Sequence, residues 1–328
     1  MVFLVTGGAG YVGGVVARQL LACGHQVVVF DDLQHGRREN VPAAAELVQG
    51  SVGDGAALDS LFSKFKIDGV LHFAALIEAG ESMRDPAAFF ANNTAGSATL
   101  LHSMARHGVR RFVFSSTAAV YGDPVNVPIA EDARTVPVNA YGESKLLVER
   151  MLPWLSPAHG LSYAVLRYFN VAGALPDYGE AHEPETHLIP QVLDVALGRR
   201  ASIKIFGTDY GTGDGTCIRD YIHVADVGRA HLLAMDALIG SAHPCELVYN
   251  LGNGRGFSVR QVIESARRVT GHPIPVEEQP RRPGDAARLV ADSEKIKREL
   301  GWAPEMADLD DIVGSAWQWH RRKFGHGG

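Results

Sequence analysis

The stretch VFLVTGGAGYVGG, residues 2–14, decides the fold of this 328-residue chain. Its first four residues are apolar and predict a short strand that is buried on both faces. Glycines follow, and YVGGVVARQLLACGH, residues 11–25, predicts a helix that ends at Gly24. QVVVFDD, residues 26–32, predicts a second buried strand. Together these segments predict a β-α-β unit of about 30 residues, whose crossover requires parallel strands.

The glycines of this unit have the spacing of a dinucleotide-binding turn. Gly8-x-Gly10-x-x-Gly13 lies between the predicted strand and the predicted helix. Glycines let the backbone approach a pyrophosphate, whose charge is stabilised by the free N–H groups and the positive end of the helix. Asp31 ends the second strand, 18 residues after Gly13, where a carboxylate accepts hydrogen bonds from an adenosine ribose and repels a 2′-phosphate. With Asp32 beside it, the turn predicts NAD rather than NADP as the cofactor.

Strand and helix candidates continue to alternate as far as about residue 173. Apolar runs predict strands over 68–75, 110–122 and 161–173, and helical spacing predicts helices over 91–108 and 140–155, the latter ended by Pro153. This alternation is typical of the α/β class, with a doubly wound parallel sheet of the Rossmann type.

The composition changes after about Gly173. Residues 174–187 are rich in Pro, Gly, Glu and His and predict a loop, and shorter strand and helix candidates follow. We therefore expect an NAD-binding Rossmann domain over residues 1–173 and a smaller α/β substrate domain over residues 174–328. Segments near 217–252 are expected to return to the first domain.

Bulk composition excludes several classes of protein. The net charge of −6 argues against broad nucleic-acid binding, which needs a basic surface. Cys23, Cys217 and Cys245 form no CxxC pair, so neither a disulfide framework nor a metal site is predicted. No run of about 18 apolar residues suggests a membrane span, and no signal peptide is expected. We expect a cytoplasmic protein whose partner is a small molecule.

YGESK, residues 141–145, places a phenol and an ammonium four residues apart at the start of a predicted helix. Residues with this spacing share one helix face. A phenol normally ionises near pH 10, but the ammonium of Lys145 and the positive nicotinamide of bound NAD would lower that pKa. Tyr141 could then take a proton from a substrate alcohol as hydride leaves the same carbon. Thr117, at the end of a predicted strand, could hydrogen-bond the same alcohol.

With these features, the chain resembles the extended short-chain dehydrogenase/reductase family over nearly its whole length. The matching stretches include VTGGAGYVG (5–13), FSSTAAVYG (114–122), YGESK and LRYFNVAG (166–173). GDGTCIRDYIHV (213–224) and RRPGD (281–285) are more particular to the sugar-nucleotide epimerases of that family.

The resemblance implies an isomerase that interconverts UDP-galactose and UDP-glucose through transient oxidation at sugar C4, with a tightly bound NAD regenerated in each cycle. It implies that Tyr141 is the general base on the 4-hydroxyl, that Thr117 orients this hydroxyl, and that Lys145 tunes Tyr141 and contacts the nicotinamide ribose. It also implies a homodimer, for which the helices over 91–108 and 144–155 are the candidate faces.

The resemblance further implies two sets of contacts. The cofactor contacts are Gly7, Gly10, Tyr11, Val12, Gly13, Asp31, Asp32, Ser51, Val52, Phe73, Ala74, Ala75, Asn92, Thr117, Tyr141, Lys145 and Phe169. The substrate contacts are Thr117, Tyr141, Asn170, His187, Leu188, Phe206, Arg219, Val259, Arg282, Asp285 and Leu289. In the second set, the two arginines suit a diphosphate because a guanidinium donates forked hydrogen bonds, and the aspartate suits a ribose.

Three residues depart from the family pattern. Ser51 stands where an aspartate usually lies near the adenine, and Ile77 replaces a lysine that reaches the cofactor in some members. Both changes suggest looser retention of NAD. Leu289 occupies the position that gates the sugar pocket, where a tyrosine restricts and a small residue admits N-acetylhexosamines. Leucine is intermediate, so acceptance of N-acetyl sugars stays open.

Other readings remain at this point. The 4,6-dehydratases need an acid pair after the strand-end Ser/Thr, and the decarboxylases usually have an acid there, but this chain has Ala118 and Ala119. A 4-epimerase of a UDP-N-acetylhexosamine, UDP-pentose or UDP-uronic acid fits the catalytic residues equally well. A non-catalytic NAD-binding regulator would lose Tyr141, Lys145 or Thr117, and all three are present.

Overall fold

The computed structural model describes residues 1–282 and 285–325. The strands are β1 (Val2–Thr6), β2 (Gln26–Asp31), β3 (Glu46–Gln49), β4 (Gly69–His72), β5 (Arg111–Thr117), β6 (Ser162–Tyr168), β7 (Asn170–Ala172), β8 (Ala174–Leu175), β9 (Tyr178–Gly179), β10 (Ile203–Phe206), β11 (Ile218–His223), β12 (Glu246–Leu251), β13 (Gly256–Ser258), β14 (Val276–Gln279) and β15 (Arg288–Leu289). The helices are α1 (Tyr11–Ala22), α2 (Gly55–Lys64), α3 (Ala79–Ser82), α4 (Pro86–Phe89), α5 (Gly96–Arg106), α6 (Ala140–His159), α7 (Leu188–Ala196), α8 (Val224–Gly240), α9 (Val259–Thr270), α10 (Glu294–Leu300) and α11 (Leu309–Phe324). Short 3-10 turns cover Arg38–Asn40 and Ala118–Tyr121, and a π-helical turn covers Phe90–Ala95.

The main sheet has seven parallel strands in the order β3-β2-β1-β4-β5-β6-β12. Strand order reverses at β1, which is the doubly wound arrangement predicted from the sequence. Thr6 at the end of β1 pairs with Phe30 of β2 and His72 of β4, and Thr117 ends β5 beside Tyr168. The carboxyl ends of these strands therefore lie along one edge, where ligands bind in sheets of this kind. The predicted fold class is confirmed.

Helices cover both faces of this sheet, which explains why its strands are continuous apolar runs. Phe3 and Val5 of β1 face one core, which α1 and α8 complete, whereas Leu4 faces a second core completed by α2, α5 and α6. Because α8 packs on the first core and β12 extends the sheet, residues 224–251 lie with the N-terminal strands.

The remaining C-terminal elements form a separate apolar cluster. In this cluster α7, α9 and α11 pack around β10, which pairs with β14. β11 pairs with β7, β13 and β15, and so joins this cluster to the segment that follows β6. The domain boundary at residue 173 stays a prediction, and residues 283–284 and 326–328 of the expected second domain lie outside the described residues. Within the described ranges, no helix combines the length and apolarity needed to cross a membrane.

Helix α6 differs from its prediction. It continues through Pro153 and Pro157 and ends at Gly160, whose φ of 66° suits a glycine cap. The prediction that Pro153 ends the helix was wrong, because Leu152 and Ser156 bury the sheet-facing side and stabilise the last turns.

Candidate active site

The turn between β1 and α1 has the geometry that a pyrophosphate requires. Gly7 has φ of 71°, and a Cβ atom added there would lie 2.5 Å from the backbone nitrogen of Ala74. A Cβ atom at Gly13 would collide with the carbonyl oxygen of Gly7. Gly10 caps α1 without any side-chain hydrogen bond, so the first N–H groups of the helix are free to bind an anion.

Asp31 connects this turn to the end of β2. Its carboxylate is buried and accepts hydrogen bonds from the backbone N–H groups of Ala9 at 3.0 Å and Leu33 at 2.9 Å. Burial raises the pKa of Asp31, and these two hydrogen bonds lower it in part. The carboxylate reaches the cleft beside the turn, where it can accept from a ribose hydroxyl. The donors of the turn and this acceptor fit NAD.

A single cleft with a cavity volume of about 560 Å³ runs from the glycine turn to the C-terminal loops. Every residue predicted to contact the cofactor lines it except Ser51 and Lys145, and every predicted substrate residue lines it except Leu289. Ser51 lies between Gly50 and Val52, which do line the cleft. Residues from both parts of the chain therefore meet around one cavity.

Tyr141 reaches this cavity because the start of α6 packs tightly on the turn after β5. Asn139 caps α6 by accepting from the backbone N–H of Gly142 at 2.8 Å. A Cβ atom at Gly142 would lie 2.6 Å from the carbonyl oxygen of Ala119, so only glycine permits this approach. Thr117, two residues before Ala119, lines the same cavity as Tyr141.

The ionisation of Tyr141 depends on the groups around it. Burial raises its pKa and the neighbouring Tyr168 raises it further, whereas a hydrogen bond with Thr117 lowers it. Lys145 is 3% exposed and donates to the carbonyl oxygen of Ser115 at 2.9 Å. Burial lowers the pKa of Lys145 to about 7, although the charge of Glu149 raises it. The protein's own groups therefore shift the pKa of Tyr141 upward, and a lowered pKa of Tyr141 with the positive nicotinamide of NAD beside it stays a prediction.

Behind the strand that carries Thr117 lies a buried ion pair. Glu149 of α6 accepts from Arg167 of β6 at 2.5 Å and from the hydroxyl of Ser116 at 2.5 Å. Arg167 also donates to the hydroxyl of Tyr121 at 2.9 Å, and Tyr121 donates to Asn250 of β12 at 2.8 Å. This network joins β5, β6, β12 and α6, and its Ser116 precedes Thr117, which lines the cleft.

The sequence did not indicate several groups that the structure places at the cleft. Tyr178 of β9 donates to the carbonyl oxygen of Gly10 at 2.7 Å and fills the space beside Gly14. Glu180 and His182 line the cleft from the same segment. The stretch 174–187 resembles an ordinary loop in sequence, and no periodic pattern in it predicts a contact with the glycine turn.

The glycine turn gives a direct prediction. Gly13→Ala is expected to weaken NAD binding by about ten- to a hundredfold, about 1.4–2.8 kcal/mol, because the new methyl group must displace the carbonyl of Gly7. NAD content of the purified variant, measured after denaturation, checks this. Gly240→Ala is the control, since its Cβ atom would meet nothing within 4 Å. Equal NAD content in the two variants would contradict the role of the turn.

Comparison with known proteins agrees with this geometry. Residues 3–252 match the NAD dependent epimerase/dehydratase family. The chain is 52% identical over 319 residues to a UDP-glucose 4-epimerase of Streptomyces lividans, covering 97% of this chain and 95% of that protein. It is 50% identical over 323 residues to a UDP-glucose 4-epimerase of Halalkalibacterium halodurans, covering 98% and 96%.

A solved structure shares the whole architecture. The UDP-glucose 4-epimerase from Bifidobacterium longum in complex with NAD+ and UDP superposes with a TM-score of 0.94 at 36% identity, covering 100% of both chains. The family match and these relatives show that the chain belongs to the NAD dependent epimerase/dehydratase family, as an epimerase that uses NAD.

Proposed function

We propose that this chain interconverts UDP-galactose and UDP-glucose as a 4-epimerase. The observation that carries the proposal is the single cleft in which Tyr141 and Thr117 lie together with the glycine turn and with Arg219 and Arg282. We therefore expect a substrate whose hydroxyl group contacts Tyr141 and whose anionic part extends toward the two arginines. A sugar joined to a nucleoside diphosphate has this form.

The roles of the catalytic groups follow from their surroundings. Bound NAD supplies the reversible oxidation at sugar C4. Tyr141 takes the proton of the 4-hydroxyl and returns it, while Thr117 holds this hydroxyl by a hydrogen bond. Because burial disfavours a charge on the phenol, a positive partner is needed. Lys145, one helical turn away and buried, is proposed to supply this positive charge together with the nicotinamide of bound NAD.

The diphosphate site is held ready by contacts within the protein. The guanidinium of Arg219 donates to the carbonyl oxygens of Ala286 at 2.8 Å and Ile218 at 2.9 Å. It also lies 3.4 Å from the carboxylate of Asp285, which suits a ribose. The Arg282 guanidinium lies 3.8 Å from the centre of the Phe206 ring. These groups are oriented before a ligand binds, which lowers the entropic cost of binding.

The experiment that tests this function is proton NMR of UDP-galactose with purified protein and no added NAD. Growth of the anomeric signal of UDP-glucose to a steady ratio is the expected result. If nothing changes, NAD is added to the same tube, and rescue would indicate the loose cofactor retention that Ser51 and Ile77 suggest. If no UDP-glucose forms even with added NAD, hexose epimerisation is contradicted. Pentose, uronic acid and N-acetyl sugar nucleotides are then tested as substrates.

Leu289 is proposed to set the size of the sugar pocket. It pairs with Arg219 across β11 and β15 and packs against the cluster that contains Ala118 and Phe169. Phe169 lines the cleft, so a larger side chain at 289 would press on the wall. Leu289→Tyr is expected to lower any activity on UDP-N-acetylhexosamines at least about tenfold more than activity on UDP-hexoses.

The measurement is kcat/KM on both substrate classes. Leu247→Tyr, a partly buried leucine of β12 outside the cleft lining, is the matched control. An equal loss on both substrate classes in Leu289→Tyr would disprove the gate.

We also propose a homodimer, in the cytoplasm, with an interface on the outer side of α6. The apolar stripe of α5 is largely buried within the chain, including Leu100, Leu101 and Met104, so it offers little to a partner. Trp154 of α6, in contrast, is 80% exposed. Exposed tryptophans are frequent anchors of protein interfaces.

Trp154→Arg is therefore expected to weaken dimerisation about tenfold or more, as measured by analytical ultracentrifugation. Val125→Arg, at a side chain that is 98% exposed in a loop, should leave the dimer intact. A dimer in Trp154→Arg as strong as that of the parent chain would remove α6 from the interface.

A further inference from the structure

Two Glu-x-His sequences lie close together in residues 180–187, and both fold in the same way. Glu180 accepts from the backbone N–H of His182 at 3.0 Å and from its ring Nδ1 at 3.0 Å. Glu185 accepts from the backbone N–H of His187 at 2.7 Å and from its ring Nδ1 at 2.8 Å. Each carboxylate is therefore fixed in direction by the histidine that follows it.

The two pairs meet at the wall of the cleft. One ligand atom each from Glu180, Glu185 and His187 lies within 4.8 Å of the others, and the rings of His182 and His187 are 6.1 Å apart. The carboxylate side chains are only 12% and 14% exposed. Across residues 1–282 and 285–325, histidines are their only ion-pair partners, with no lysine or arginine in reach. Two nearly buried carboxylates, each paired with the histidine that follows it, thus share one small space.

The backbone holds these groups in place. The indole N–H of Trp319 donates to the backbone carbonyl oxygen of Glu180 at 3.1 Å. The side-chain amide of Gln191 donates to the backbone carbonyl oxygen of Glu185 at 2.9 Å. Arg37, which follows β2, reaches Glu183 at 2.8 Å. The segment is therefore attached to α11, to α7 and to the NAD side of the cleft.

Imidazole nitrogen and carboxylate oxygen together are the donors of a borderline divalent metal such as Zn²⁺ or Co²⁺, whereas Mg²⁺ and Ca²⁺ favour oxygen alone. In a tetrahedral site with bonds of about 2.0–2.1 Å, ligand atoms lie roughly 3.3 Å apart. The three donors, now within 4.8 Å of one another, would draw together by up to about 1.5 Å to reach this geometry. A histidine that orients a liganding carboxylate is a common supporting contact of metal sites.

We propose that Glu180, Glu185 and His187 bind a divalent cation of the zinc class, and that His182 positions Glu180 for it. The ion replaces the proton shared between Glu185 and His187, and its fourth position faces the cleft that Glu180 and His187 line. There it offers a ligand position to water or to a diphosphate oxygen.

The test is a titration of tag-free, NAD-loaded protein with Co²⁺, followed by visible absorption. We expect saturable bands of four-coordinate cobalt at one equivalent, and their loss when Zn²⁺ is added. His187→Asn and Glu185→Gln should weaken Co²⁺ binding about a hundredfold, and His182→Asn about tenfold, as supporting residues do. Circular dichroism and NAD content show whether each variant is folded.

His107→Asn is the matched control, because His107 forms a single pair with Asp59 at 3.2 Å outside this segment. Unsaturable binding, octahedral spectra alone, or an equal loss of affinity in His107→Asn and His187→Asn would overturn the metal site. Epimerisation measured in EDTA tests the proposed function separately, since no step assigned to Tyr141 or Thr117 uses the ion.

Discussion

Replacing Tyr141 with phenylalanine is expected to lower kcat by about 10²–10⁴-fold, the range for loss of a general base, while NAD stays bound. The phenol lines the same cavity as Thr117 and is the proposed proton acceptor, and the substitution removes one oxygen atom and little volume. The glycine turn and Asp31 are untouched, so cofactor binding should persist. Rates of UDP-galactose conversion and NAD content of the same preparation give the two readings.

The control for this variant is Tyr163→Phe. The hydroxyl of Tyr163 donates to Glu246 at 3.0 Å, and Tyr163 is not among the residues that line the cleft. This variant also loses one buried phenol, so any general effect of such a loss on folding appears in both proteins. Near-normal turnover in Tyr141→Phe, or an equal loss in the two variants, would remove Tyr141 as the base.

The parts of the fold that the sequence predicts are those with local causes. A strand, a glycine turn and a helix follow one another in residues 2–25, and each determines the direction of the next. The start of α6 is similarly local, because the Asn139 cap and Gly142 place Tyr141 at the end of β5. The placement of Tyr141 and Thr117 on one cavity was therefore within reach of sequence reasoning.

Other features depend on contacts between distant segments. Tyr178 meets Gly10 across 168 residues, and nothing near either residue indicates this contact. The pKa of Tyr141 depends on such contacts as well, since burial raises it and the neighbouring Tyr168 raises it further. Helical spacing puts Lys145 on the correct face but cannot show that its ammonium donates to Ser115. The charges and burial around a side chain depend on tertiary packing, and a local sequence pattern does not predict that packing.

The second large effect concerns the buried ion pair, where Arg167→Met is expected to lower the free energy of unfolding by about 3–5 kcal/mol. The side chains of Arg167 and Glu149 are only 9% and 7% exposed. Burial lowers the pKa of Arg167, but the hydrogen bonds and charge of Glu149 more than offset this and raise it. Without the guanidinium, Glu149 keeps a buried charge whose remaining hydrogen-bond donor, among the described residues, is the hydroxyl of Ser116. Lys145 is then the cation whose charge still interacts with it.

A double-mutant cycle with Glu149→Leu separates the pair from its burial. Removing both charges leaves neither member of the pair without its partner, so the double variant should unfold at a higher urea concentration than Arg167→Met alone. Lys145 loses the charge of Glu149 in this variant, so the recovery is expected to be partial. Arg268→Met is the exposed control, because Arg268 and Asp310 are 61% and 42% exposed, and such pairs contribute about 0–1 kcal/mol. If Arg167→Met costs no more than Arg268→Met, or if the two losses of the cycle simply add, the buried charge is not the cause. Glu149 also accepts a hydrogen bond from Ser116, next to Thr117. We therefore expect the double variant to regain stability without regaining full turnover.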